Sequence, residues 1–342
     1  MPPRLLLSLS GSGHLLCYQL GVVRALLHDA PKWGAHMVAF AGTSGGAIVA
    51  AAAALLPRET PSALDRFAEA AFRGGAFAQL AHELEPGCGS VRASSLADAS
   101  GSLFLGATAC ETGEPATLCR FSNAEALLTC VLASAAIPRS VHPLDVLLAG
   151  GRPLRYPEHE GIFVPSSCAW AGDEADLDGA PPAADDDAPR RAHVGGGLSS
   201  ALPRLPATAL ERLRISTVLT VSPAAGPRGA STLCEASLLP CARAASAPAD
   251  ARAAAARARG GLPTRFHVCP ARDGSWARLP LPPLSLGGGL RCDWSAANAR
   301  AAAVAVLGAS PAALRDWFER GRDDAAELLV ARGSPVDVLL SV

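Results

Sequence analysis

The 342-residue chain is long enough to bury a sizeable core in one large domain or two small ones. Its formal net charge of −1 gives no electrostatic footprint for a nucleic-acid partner. Ten scattered cysteines, with no C-x-x-C pair and no Cys–His spacing suited to zinc, read as reduced thiols rather than a disulfide scaffold or a metal framework.

Arg4–Ser10 reads as a first strand, with an apolar run shorter than a signal-peptide core, broken by Gly11-Ser12-Gly13. A helix is predicted from His14 to His28, because Leu16, Leu20, Val23 and Leu27 recur at helical spacing, and Pro31 closes it. Met37–Ala41 is a second strand, followed by Gly42-Thr43-Ser44-Gly45-Gly46 and the alanine-rich run Ala47–Leu56. That run falls short of the ~20 apolar residues a membrane span needs and reads as a buried helix. Pro57–Leu84 is helical, Leu103–Ala109 and Thr117–Phe121 flank a turn, and Asn123–Leu132 is a further helix.

From Ala149 to Pro189 the text is loop-like and holds the acidic tract Asp185-Asp186-Asp187, a solvated insertion centred on about 165–190. Ile215–Val221 is a strand. Residues 224–309 read as low-complexity linker, including the Ala/Arg-rich segment Cys241–Gly261 and Pro280–Gly289. An amphipathic helix closes the pattern, with Ser310 as N-cap, Pro311 at its first position and Gly333 after Arg332. Its apolar stripe is Leu314, Trp317, Phe318, Gly321, Ala325, Leu328 and Leu329.

The chemistry gathers in the first 56 residues, a strand–turn–helix–strand–turn–helix unit that predicts an α/β fold with a mainly parallel sheet. Gly42-Thr43-Ser44-Gly45-Gly46 has the form of a nucleophile elbow, in which Gly42 and Gly46 allow the tight turn that projects the Ser44 hydroxyl. The turn Gly11-Ser12-Gly13-His14 offers successive backbone N–H groups at a helix start, a ready site for an oxyanion. If the two strands are neighbours, both turns lie at one edge of the sheet. A Ser-His-Asp arrangement is a rival, with His14 and His193 the histidines to inspect.

Leu7–Val22 resembles the opening block of patatin-like phospholipases, and is most similar to the branch that includes adipose triglyceride lipase. Ala133-Ser134-Ala135-Ala136-Ile137-Pro138, Tyr156-Pro157 with Glu160-Gly161, Thr220-Val221-Ser222-Pro223 and Trp317–Ala325 are similar to further blocks in the same order. The resemblance implies a three-layer sandwich around a central, mainly parallel sheet, with a hydrolase domain over 5–223 and the C-terminal helix over 310–332. It implies a Ser–Asp dyad that hydrolyses glycerolipid acyl esters at a membrane or lipid-droplet surface, without cofactor; the scattered cysteines suggest a cytoplasmic setting, and the lack of H-E-x-x-H or another metal cluster argues against a metal. Ser44 would be the nucleophile and Gly11, Ser12, Gly13 and His14 the oxyanion turn.

The dyad aspartate belongs in a D-G-[GA] motif, and here the chain departs from the pattern. His193-Val194-Gly195-Gly196-Gly197-Leu198 matches the flanks, with Gly195 in the aspartate's place. Asp178-Gly179-Ala180 spells the motif earlier, which makes Asp178 the candidate base. A protein that keeps the fold and binds lipid without turning it over is the alternative, and Gly195→Asp is the substitution expected to restore activity.

Overall fold

A computed structural model describes residues 4–57, 61–87, 89, 91, 93–140, 155–170, 189–198, 201–203, 205, 207–223, 264–270, 284–287, 290–292 and 295–332. Eight strands form one mixed sheet, in the order β5-β6-β3-β2-β1-β7-β8, with β4 paired to β3. The strands are β1 (Leu5–Leu9), β2 (Met37–Thr43), β3 (Leu103–Ala109), β4 (Pro115–Leu118), β5 (Ile162–Pro165), β6 (Arg190–Gly195), β7 (Thr217–Val221) and β8 (Thr264–Val268). From β3 to β8 across the sheet the pairing is parallel, whereas at the other side β4 and β6 pair antiparallel with β3, and β5 pairs antiparallel with β6.

The leucines of β1 explain its central place. Leu5, Leu7 and Leu9 face one core, while Leu6 packs into a second with Ala39, Ala41, Phe104 and Val218. A strand buried on both faces needs an unbroken apolar run, and Leu5–Leu7 supplies it. The first face is covered by α1 (Leu16–Arg24), α3 (Gly45–Leu55), α4 (Pro61–Phe72), α5 (Ala76–Leu84) and α7 (Ala124–Ala135). Between them come the short helices α2 (Pro31–Gly34) and α6 (Ala93–Ala99). The second face carries α8 (Ala207–Arg212), through Ala209 and Leu210. The architecture is therefore α/β, with helices on both sides of a mostly parallel sheet.

Two helices end the described chain, α9 (Ala296–Leu307) and α10 (Pro311–Arg332). Helix α10 returns to the start of the sequence and packs along α1. Leu314, Phe318, Ala325 and Leu328 are buried there, and the Tyr18 hydroxyl donates to Asp324 Oδ2 over 2.8 Å. The crossing is close because Gly21 lies against the Phe318 carbonyl and Gly321 against the Tyr18 carbonyl. No helix among the described residues is long and apolar enough to cross a membrane.

Several expected boundaries move. The predicted helix 14–28 begins as a 3-10 turn at Gly13–Leu15 and ends in a π turn at Ala25–Asp29, and Pro31 opens α2 instead of closing the helix before it. Gly74, at φ 78°, splits the region 57–84 into α4 and α5. The loop-like stretch after 149 contains β5, and the stretch read as linker contains β8, α9 and a hairpin of Leu284–Gly287 with Leu290–Cys292. Strand β8 joins the main sheet beside β7, so the sheet continues beyond residue 223. The acidic tract and residues 241–261 lie outside the described residues.

Candidate active site

The parallel pairing of β1 with β2 brings the two glycine turns to one edge of the sheet. Strand β2 ends at Thr43 and α3 begins at Gly45, leaving Ser44 between them at φ 55° and ψ −125°. A side chain at positive φ is costly, on the order of 1–3 kcal/mol, and such strain gathers at functional sites. The flanking glycines are required by contact. A Cβ on Gly42 would collide with the Gly46 carbonyl, and one on Gly46 would lie 2.5 Å from the Ser10 carbonyl oxygen.

A side chain far along the sequence holds this elbow. The Ser44 N–H donates to Ser134 Oγ over 2.9 Å, and Ser134 Oγ donates to the Gly106 carbonyl over 2.5 Å. Ser134 therefore ties the Ser44 backbone to β3. It is fixed by α7, whose start is capped by Asn123 through the Ala126 N–H at 2.8 Å. Just past α7, the Ala136 carbonyl accepts from the Gly195 N–H over 2.6 Å. One helix end thus touches both the elbow and the end of β6.

The turn after β1 sits against the elbow. A Cβ on Gly11 would lie 3.8 Å from the Ser44 Cβ, and one on Gly45 would lie 2.8 Å from Ser12 Oγ. Gly11 is not a free donor, since its N–H bonds to the Ala201 carbonyl over 2.8 Å. The N–H groups of Ser12, Gly13 and His14 donate to none of the described residues, as expected at the start of a helical turn. Among the described residues these three are the donors that this turn offers to an anion, one fewer than the sequence suggested.

Gln19, fully buried on α1, shapes that turn. Its Oε1 accepts from Ser12 Oγ over 2.9 Å, and its Nε2 donates to the Ser10 carbonyl over 2.8 Å. A weaker contact of 3.5 Å reaches the Val221 carbonyl at the end of β7. Gln19 and Ser134 are the residues the sequence reading did not single out. The available signal was a glutamine inside an otherwise apolar helix face, and a serine four residues before Pro138 at a helix end.

A base is harder to find. Ser44 Oγ makes no hydrogen bond to any described residue. Gly195 is buried at the end of β6, where its carbonyl also accepts from Thr108 Oγ1 over 2.9 Å. A Cβ there would sit 2.7 Å from the Ala136 carbonyl oxygen, so the backbone must move to admit even an alanine. Restoring an aspartate at this position is therefore not the simple exchange the sequence suggested. Asp178 lies outside the described residues.

Neither candidate histidine reaches the serine. His193 Nδ1 is 2.9 Å from the Arg191 carbonyl, and burial lowers its pKa. His14 is exposed and lies by Gly308, next to the end of α9, with its Nε2 3.5 Å from where a Cβ on Gly308 would stand. The buried carboxylates Asp324 and Glu83 are bonded to Tyr18 and to Gln79 respectively. What the described residues assemble is a strained, backbone-anchored serine beside unpaired N–H donors. No protein-family model matches the chain, and no curated protein matches it.

Proposed function

We propose that the chain is a patatin-like serine acyl hydrolase of glycerolipid esters, triacylglycerol or phospholipid, presented at a membrane or lipid-droplet surface. The observation that carries this reading is Ser44, held at φ 55° between β2 and α3 beside the N–H groups of Ser12, Gly13 and His14, which donate to no described residue. In this reading Ser44 Oγ attacks the ester carbonyl, and the N–H groups bind the oxygen as it gains negative charge. The N-terminus of α3 adds its positive dipole end to the same place. Asp178, in Asp178-Gly179-Ala180, would accept the serine proton and return it to the leaving alcohol.

One specific observation favours a second reading, a lipid-binding protein that has lost turnover: glycine stands at 195, and no described residue bonds to Ser44 Oγ. The two readings separate in one experiment. The purified chain and Ser44→Ala are compared on a short-chain nitrophenyl ester and with a fluorophosphonate probe. Hydrolysis and labelling that vanish in Ser44→Ala support the hydrolase, and Asp178→Asn should then abolish both. Equal background rates for the two proteins, with binding to triacylglycerol-containing vesicles retained, establish the second reading instead.

A further inference from the structure

We propose that the outer face of α9 docks the chain on a bilayer that carries anionic phospholipid, with the candidate site turned towards the lipid. The choice of lipid as partner rests on the proposed function. Helix α9 ends on the turn after β1. A Cβ on Gly13 would collide with the Ala305 carbonyl, and one on Gly308, just past the helix, would lie 3.5 Å from the His14 ring. On the side towards the protein, Asn298 and Ala301 are buried and Val304 packs partly against the main core.

The other side of α9 reverses the usual pattern of a surface helix, which shows water a polar row. Its exposed residues are four alanines, Arg300, Val306 and Leu307, with Val306 69% and Leu307 82% exposed. Exposed apolar side chains also gather around the site instead of scattering. Among the described residues six large ones are exposed, and four of them, Leu132, Ile137, Val306 and Leu307, lie on α9, on α7 or just past it. These are the segments that touch the turn and the elbow, through Gly13 and Ser134. Ile137, 72% exposed, directly follows Ala136, whose carbonyl meets the Gly195 N–H. An apolar patch concentrated at a site in this way marks a contact surface.

Charge and position select the bilayer as what covers it. From Ser295 to Leu314 the one charged residue is Arg300, and it is exposed. Past Ile137 comes a second exposed arginine, Arg139. The carboxylate on that side, Glu160, is engaged by the Ser140 N–H and hydroxyl at 3.0 and 2.8 Å. Val306 and Leu307 can therefore enter the acyl boundary while Arg300 stays among negative headgroups, the arrangement of an interfacial helix. A second copy of the chain on the same face would cover the edge of the sheet where Ser44 and the turn stand. A bilayer delivers acyl esters to that edge.

The test is flotation of the full chain with vesicles of phosphatidylcholine and phosphatidylserine, and with phosphatidylcholine alone. The parent should float with the mixed vesicles. Val306→Asp combined with Leu307→Asp should weaken that binding at least about tenfold, with an unchanged urea midpoint because both side chains are exposed. Arg300→Ala should weaken binding about fivefold, and only where phosphatidylserine is present. The proposal is overturned if the double variant floats as well as the parent, or if the parent binds neither vesicle. A parent dimer in sedimentation velocity that the double variant dissolves overturns it in favour of a second copy. Fluorophosphonate labelling of the same samples separates this result from the hydrolase reading. A parent that stays unlabelled, yet binds vesicles through Val306 and Leu307, keeps the docking face and loses the hydrolase.

Discussion

Replacing Gln19 by leucine tests how the turn after β1 is held. Leucine matches the helical and apolar surroundings of α1, but it offers no partner to Ser12 Oγ or the Ser10 carbonyl, which Gln19 meets at 2.9 and 2.8 Å. Ser10 is 0% and Ser12 4% exposed, so water does not readily replace the lost side chain. Each buried polar group left unpaired costs about 1–3 kcal/mol, which puts the loss near 3 kcal/mol for the two together. With a urea dependence of about 3 kcal/mol per molar, the unfolding midpoint should fall by about 1 M. Urea titration followed by circular dichroism reads this directly. A midpoint within about 0.1 M of the parent would refute the claim that Gln19 organises the turn, whatever the fate of any activity.

Ser44→Gly should raise stability by about 1 kcal/mol while removing fluorophosphonate labelling, since glycine accepts φ 55° without strain; lower stability would show that the elbow is not strained. Gly195→Ala should cost about 2 kcal/mol in urea unfolding, because its Cβ meets the Ala136 carbonyl oxygen at 2.7 Å; an unchanged midpoint would mean that the backbone yields freely. His267 supplies a pH prediction. Burial lowers its pKa from 6.5 to about 4, and its Nε2 has no hydrogen-bond partner among the described residues. Between those values the unfolded chain binds a proton that the folded chain refuses, so stability falls as pH drops from 6.5 towards 4. The loss by pH 4.5 should be on the order of 2 to 3 kcal/mol, and His267→Phe should remove that part of the slope. Parallel pH profiles for parent and variant would contradict it.

The parts of the fold that were legible in the sequence are those governed by local pattern. Leu5–Leu9 and Met37–Ala41 carry the apolar density of buried strands, and the stripe from Leu314 to Leu328 carries helical period. The elements that were missed are short or compositionally plain. Strand β5 is four residues at an edge, and its apolar run Ile162-Phe163-Val164 is too short to stand out from the loop-like text around it. Helix α9, written as Ala296-Ala297-Asn298-Ala299-Arg300, is hidden by the same alanine and arginine richness that reads as linker. At the site, the elbow and the turn were visible because glycine spacing is a local signal. Ser134 and Gln19 were not, because their roles arise from contacts with Ser44 and Ser10 that only the folded chain makes.

The pairing of α1 with α10 also sets an order of events during synthesis. Tyr18 and its partner Asp324 are separated by 306 residues. At about 5–20 residues per second, the helix behind the turn after β1 waits on the order of 15–60 s before its cover emerges. Until then Tyr18, buried in the finished fold, has no α10 to pack against. A nascent chain therefore presents a lipophilic helix to the ribosome surface and to any chaperone there long before α10 can cover it. Chains cut short before residue 311 keep the elbow sequence intact yet leave that helix bare, and they should be recovered as aggregates rather than as weak variants of the parent.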